Sequence, residues 1–178
     1  MKMLVTVSTT SISAPHPFQI AATVIKGRAC LQSASLLIRP DGWEIPERIG
    51  EDAGIAPRDA QTMGIPLATA LRLIKAMTES CTDWFAYNEP FVSAALSQGM
   101  ADAGQTTDWR ARTMRGHCVM RACGPLCKLQ DEDGRDKWPT LAEACSHFQR
   151  DNPSSDLRSR HAALIELVHA LEPMKVFL

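Results

Sequence analysis

No charge of one sign dominates this chain of 178 residues, in which 19 Lys and Arg face 20 Asp and Glu for a formal net charge of −1. A strong, non-specific electrostatic grip on nucleic acid is therefore not expected, although a local basic patch can sit inside a neutral total. No run approaches the roughly 20 apolar residues of a bilayer span, so a membrane-crossing segment is excluded. Met1 to Ser8 is a short apolar stretch that gives way to Ser and Thr. It lacks the long apolar region and cleavage site of a signal peptide, and the cytoplasm is the expected compartment. Internal repeats, low-complexity tracts and linkers are missing too. What remains, 45% hydrophobic and 22% charged, is an ordinary globular composition. At this length one domain covering residues 1–178, with a core of its own, is expected.

The six cysteines, Cys30, Cys81, Cys118, Cys123, Cys127 and Cys145, include no C-x-x-C pair. His117 or His147 could complete a zinc set. The simpler reading is small buried hydrophobes in a reducing compartment.

Three β-rich segments open the chain: Met3 to Val7, Phe18 to Ile25 and Cys30 to Ile38, the last stopped by Arg39, Pro40, Asp41 and Gly42. Short turns between them predict an antiparallel meander. The period then changes. Pro66 starts a helix with Leu67, Ala70, Leu71, Leu73, Ile74 and Met77 on one face. Asp83 to Tyr87 suits a short buried strand, and Asn88 is placed to cap the helix that follows, through Met100. Further helices are predicted over His117 to Leu126, Pro139 to Phe148 and Leu157 to Leu171. Strands first, then helices interleaved with one or two more strands, predict an α/β domain with a mixed central sheet flanked by helices.

Several segments, in order, resemble the DnaQ-like DEDDh 3′–5′ exonucleases, whose fold is similar to ribonuclease H. The family opens with a strand carrying Asp-x-Glu followed by Thr-Thr-Gly; here Val5 to Thr10 reads VTVSTT. Gln19, Ile20 and Ala21 look like the family's Gln-Ile-Ala strand. Ile38 to Pro46 is similar to a connector of a bacterial branch, whose Ile-His-Gly-Ile motif is answered by Asp52 to Ile55. The second catalytic segment, His-Asn-x-x-Phe-Asp, is met by Tyr87 to Val92. Cys118 to Arg121 and Lys137 to Glu143 echo the same branch, and the last motif, His-x-Ala-x-x-Asp, is met by His161 to Glu166.

The resemblance implies four carboxylates holding two divalent metals, with the last histidine as general base. Against that pattern the first two carboxylate positions are Thr6 and Ser8 and the third is Val92; only His161 and Glu166 persist, as relics. Magnesium wants hard, anionic oxygen ligands, and one carboxylate cannot organise a two-metal site. About 140° of helix separates His161 from Glu166, so the two are not an obvious pair. A rescue by Glu89, Glu44 or Asp41 would need several coordinated replacements. Trp43, Trp84, Trp109 and Trp138 are candidates for base stacking, against the plainer role of packing.

The expected function is that of a catalytically degenerate homologue without a cofactor. It would act as a non-catalytic binding module for a protein partner, slightly favoured, or for nucleic acid, and a homodimer remains an option. Such a degenerate copy suits a phage or mobile-element protein that interferes with a host process. The alternative is an active metal-dependent 3′–5′ exonuclease with a magnesium or manganese site rebuilt from other carboxylates. A zinc or redox role for the cysteines is the third, remote reading.

Overall fold

The computed structural model of the chain describes residues 1–13, 15–105, 108–111 and 113–177. Strands β1 (Lys2–Thr9), β2 (Pro17–Lys26) and β3 (Ala29–Leu37) form the antiparallel meander predicted from their β-rich runs. Gly27 makes the β2–β3 turn at φ +58°, a conformation few other residues adopt. Strands β4 (Asp83–Ala86) and β5 (Arg115–Cys118) run parallel to β1, giving a five-stranded mixed sheet in the order β3-β2-β1-β4-β5.

Side-chain alternation along β1 sorts the core into two layers. Met3, Val5 and Val7 face α3 (Leu67–Thr78) and α4 (Glu89–Asp102), where Leu71, Ile74, Leu96 and Met100 are buried. Leu4 faces the other side with Phe85, against α5 (Val119–Cys127), α6 (Leu141–His147) and α7 (Leu157–Leu171). Each fully buried Leu or Ile contributes about 1.5–3 kcal/mol, so the sheet is clamped from both faces. Thr6 and Ser8 belong by parity to the Leu4 face. Two short helices, α1 (Glu47–Asp52) and α2 (Pro57–Met63), close one end around Phe18, Ile45 and Ala60. No helix among the described residues is long and apolar enough to cross a membrane.

Several expectations need correction. Arg115 to Cys118 is a strand, so the predicted helix from His117 starts only at Val119. The segment is short, and its pairing with β4, not its own composition, makes it a strand. The helix predicted from Pro139 begins at Leu141, behind a capping box in which Thr140 and Glu143 satisfy each other's backbone N–H groups. Asn88 occupies the N-cap position of α4, but its side chain makes no capping bond; it faces a cleft instead. Helices α1 and α2 were not anticipated.

Candidate functional site

The carboxyl ends of β1 and β4 meet the first turns of α4 and α7, the place where open α/β sheets leave a crevice. Two adjoining hollows occupy it. A smaller one, about 200 Å³, is lined by Thr6, Asn88, Val92 and Leu164 among others. A larger one, about 390 Å³, takes in Ser8, Thr9, Asp52 and Ser155. Val7, Phe91 and Arg160 line both, so Thr6, Ser8 and Val92 lie around one cleft.

Arg160 stands at the centre of that cleft, and sequence reasoning missed it. Asp156 caps α7 by accepting from the Ser159 N–H at 3.0 Å, which places Arg160 one turn in, over the end of β1. Its Nη2 donates to Ser8 Oγ at 2.6 Å, and Ser8 Oγ in turn donates to Gln19 Oε1 at 2.8 Å. The Arg160 Nε is buried without a hydrogen-bond partner among the described residues. Burial lowers the Arg160 pKa and Asp156 pulls it back up, leaving a guanidinium that stays charged.

His161 and Glu166 lie elsewhere. His161 turns towards the sheet, 7% exposed, with Nδ1 2.9 Å from Thr6 Oγ1 and Nε2 2.8 Å from Thr23 Oγ1. Burial pushes its pKa down to about 4, so at neutral pH it is an uncharged ring with both nitrogens engaged. Glu166 is exposed, 4.0 Å from Arg150, on a separate hollow with Gln149 and Asn152. Of the last motif as read from the sequence, His161 touches the first motif through Thr6, while Glu166 stays on the separate hollow.

None of the carboxylates weighed as replacements enters the cleft. Glu89 turns to Arg110, 3.9 Å away, and its Oε1 lies so close over β5 that a Cβ on Gly116 would meet it at 2.6 Å. Asp41 and Glu44 are exposed and line neither hollow. Asp52 does line the larger one. Two hydroxyls, a valine and a guanidinium do not fit a divalent cation. Among the described residues no group of three or more His, Cys, Asp or Glu side chains is placed to hold one.

The cysteines gather as a packing feature. Cys123, Cys127 and Cys145 surround Tyr87, whose hydroxyl donates to the Pro139 carbonyl at 2.7 Å, and Cys118 Sγ contacts the Tyr87 carbonyl. Burial, reinforced by the neighbouring thiols, pushes Cys123 up to about 12, a protonated and unreactive state. The tryptophans divide by role: Trp84 and Trp109 pack edge to face in the core, Trp43 stacks on His16, and Trp138 lies half exposed over Gly124.

The fold is similar to the ribonuclease H-like fold of known exonucleases. More particularly, the chain superposes on exonuclease I. Over 99% of its length it matches E. coli exonuclease I in complex with a dA16 oligonucleotide, with TM-score 0.79 and 16% identity. It also matches a moderately thermophilic exonuclease I from Methylocaldum szegediense over 99% of its length, with TM-score 0.80 and 13% identity. The chain spans 42% and 41% of those two structures, so it corresponds to less than half of each. No family model and no curated protein matches it.

Proposed function

We propose that this chain is a catalytically silent DnaQ-like module that uses the old nuclease cleft, without metal, to bind single-stranded nucleic acid. The observation that carries this reading is Arg160: a guanidinium stands among Thr6, Ser8 and Val92, where the family pattern calls for carboxylates. That puts a positive charge, able to attract phosphate, where the pattern has cation-binding acids, with Asp52 on the far wall of the larger hollow. It shifts the balance from the protein partner favoured by net charge alone towards nucleic acid. The last motif is accordingly read from Ser155 to Arg160, the same five-residue spacing as the family's histidine and aspartate. On that reading every acid and the base have been replaced.

The test is an exonuclease assay on labelled single-stranded DNA and RNA in magnesium or manganese, together with a binding assay in EDTA. The expected result is no shortening of either strand and retention of the strand in EDTA. Metal-dependent shortening abolished by Asp52→Asn or Glu166→Ala would establish a rebuilt active site instead.

A further inference from the structure

A half-buried arginine needs an anion more than a neutral hydroxyl. Removing a guanidinium from water is costly unless its donors are paired. Here one amino group is bonded to Ser8 and Nε to nothing. The nearest acid on its own helix, Asp156, is occupied by the Ser159 N–H and the Ser154 hydroxyl. Asp52, on the opposite wall of the larger hollow, is exposed and makes no ion pair with Arg160. Nε itself is enclosed, so the donors available to a ligand are those of the amino tip, where Arg160 lines both hollows.

Resting on the function proposed above, we propose that Arg160 is a metal-free phosphate anchor, taking a phosphodiester of a single strand between the two hollows. Three features favour that ligand. The planar guanidinium fork matches two phosphate oxygens and remains charged at all working pH. Ser8, held by Gln19, fixes one end of the fork, so little rotamer entropy is left to lose on binding. The hollows of about 200 and 390 Å³ meet at Arg160, leaving room for a nucleoside on either side of the phosphate. Val7 and Phe91, shared by both, supply an apolar floor for sugar and base.

The test is fluorescence anisotropy of the full chain with fluorescein-labelled oligothymidylate and oligouridylate, in EDTA and in magnesium. Wild type should bind equally well in both buffers. Arg160→Ala should weaken binding about ten- to hundredfold, the usual scale for a charge-assisted hydrogen bond. Arg72→Ala, on the exposed face of α3, should stay within about twofold, the loss of one screened charge. Oligothymidylate with neutral methylphosphonate linkages should bind wild type more weakly and lose most of its sensitivity to Arg160→Ala; undiminished sensitivity would mean that Arg160 does not act through phosphate. Arg160→Gln, which can still bond Ser8, guards against a folding defect and should behave like the alanine variant. If folded Arg160→Ala and Arg160→Gln bind like wild type, the anchor is wrong while nucleic-acid binding stands. If wild type binds neither oligonucleotide, the proposed function itself fails. If EDTA abolishes binding, a metal and not Arg160 holds the strand. A preference between the two oligonucleotides tells which sugar the site accepts, and either preference supports the anchor provided it depends on Arg160.

Discussion

His161 illustrates how a residue can match a catalytic motif and do something else. Its ring lies between the hydroxyls of Thr6 and Thr23, a neutral bridge from α7 to β1 and β2. In the unfolded chain it titrates near its ordinary 6.5, whereas in the fold burial holds it at about 4. The unfolded state therefore takes up a proton first as pH falls. The contribution of the buried neutral ring is full above about pH 6.5 and is lost progressively down to about pH 4. The loss reaches on the order of 2 kcal/mol by pH 5. Urea melts of wild type and His161→Gln at pH 7 and pH 5 isolate this effect. Wild type should lose about 2 kcal/mol more than the variant on acidification, although the variant is the less stable at pH 7. Equal acid sensitivity in the two proteins would mean that His161 is not held neutral in the fold.

At the scale of elements, legibility followed the length and composition of the local run: even the exposed β3 is β-rich over nine residues. Two of the inner strands, β1 and β2, and the amphipathic α3 announce themselves because each buries a run of apolar side chains. β5 has only RGHC and takes its strand form from β4, so no local signal marks it. The first two motifs are placed in one cleft because β1 and β4 are neighbours in the sheet. The third motif is different. Ser155…Arg160 and His161…Glu166 share the same spacing six residues apart, and only the seating of α7 on the sheet decides which pair faces the cleft. Local crowding at the connector was equally invisible. Gly64 ends α2 where Ile38 and Ile65 form a bridge, and a Cβ there would meet the Ala60 carbonyl oxygen at 2.3 Å and the Arg39 nitrogen at 2.6 Å. These are backbone atoms that cannot swing aside. Gly64→Ala should cost about 2–4 kcal/mol in chemical denaturation through strain. Gly134→Ala, at φ +76° in an open turn with nothing within 4 Å, should cost about 1 kcal/mol through backbone conformation alone. Comparable losses in the two variants would remove the steric account of the connector.

For the whole molecule, stability is expected not to depend on a bound metal. In an active relative with four carboxylates around empty metal positions, like charges repel, their pKa values rise and the metal-free fold is weakened. On the alignment proposed above, this chain carries Thr6, Ser8 and Val92 at the corresponding places, with Val92 94% removed from solvent against the α4 face of the core. Arg160 adds a positive charge that disfavours a second cation. Magnesium or manganese should therefore leave the melting temperature unchanged relative to EDTA. At ~5 mM metal, a site with a dissociation constant of ~50 µM would add about 2.7 kcal/mol, a rise of roughly 5–10 °C for a chain of this size. A positive control comes from restoring the charges. Thr6→Asp, Ser8→Glu and Val92→Asp together should still bind metal poorly, because the new carboxylates would pair with Arg160. Adding Arg160→Asp to those three should create metal-dependent stabilisation, provided the last carboxylate position is the one occupied by Arg160. Calorimetric uptake of manganese by the folded quadruple variant and not by the triple one is the expected result. If the triple variant binds as well as the quadruple, Arg160 does not stand between the metal positions. A reproducible rise in the wild-type melting temperature with metal would mean that a specific cation site survives and the module is not metal-free.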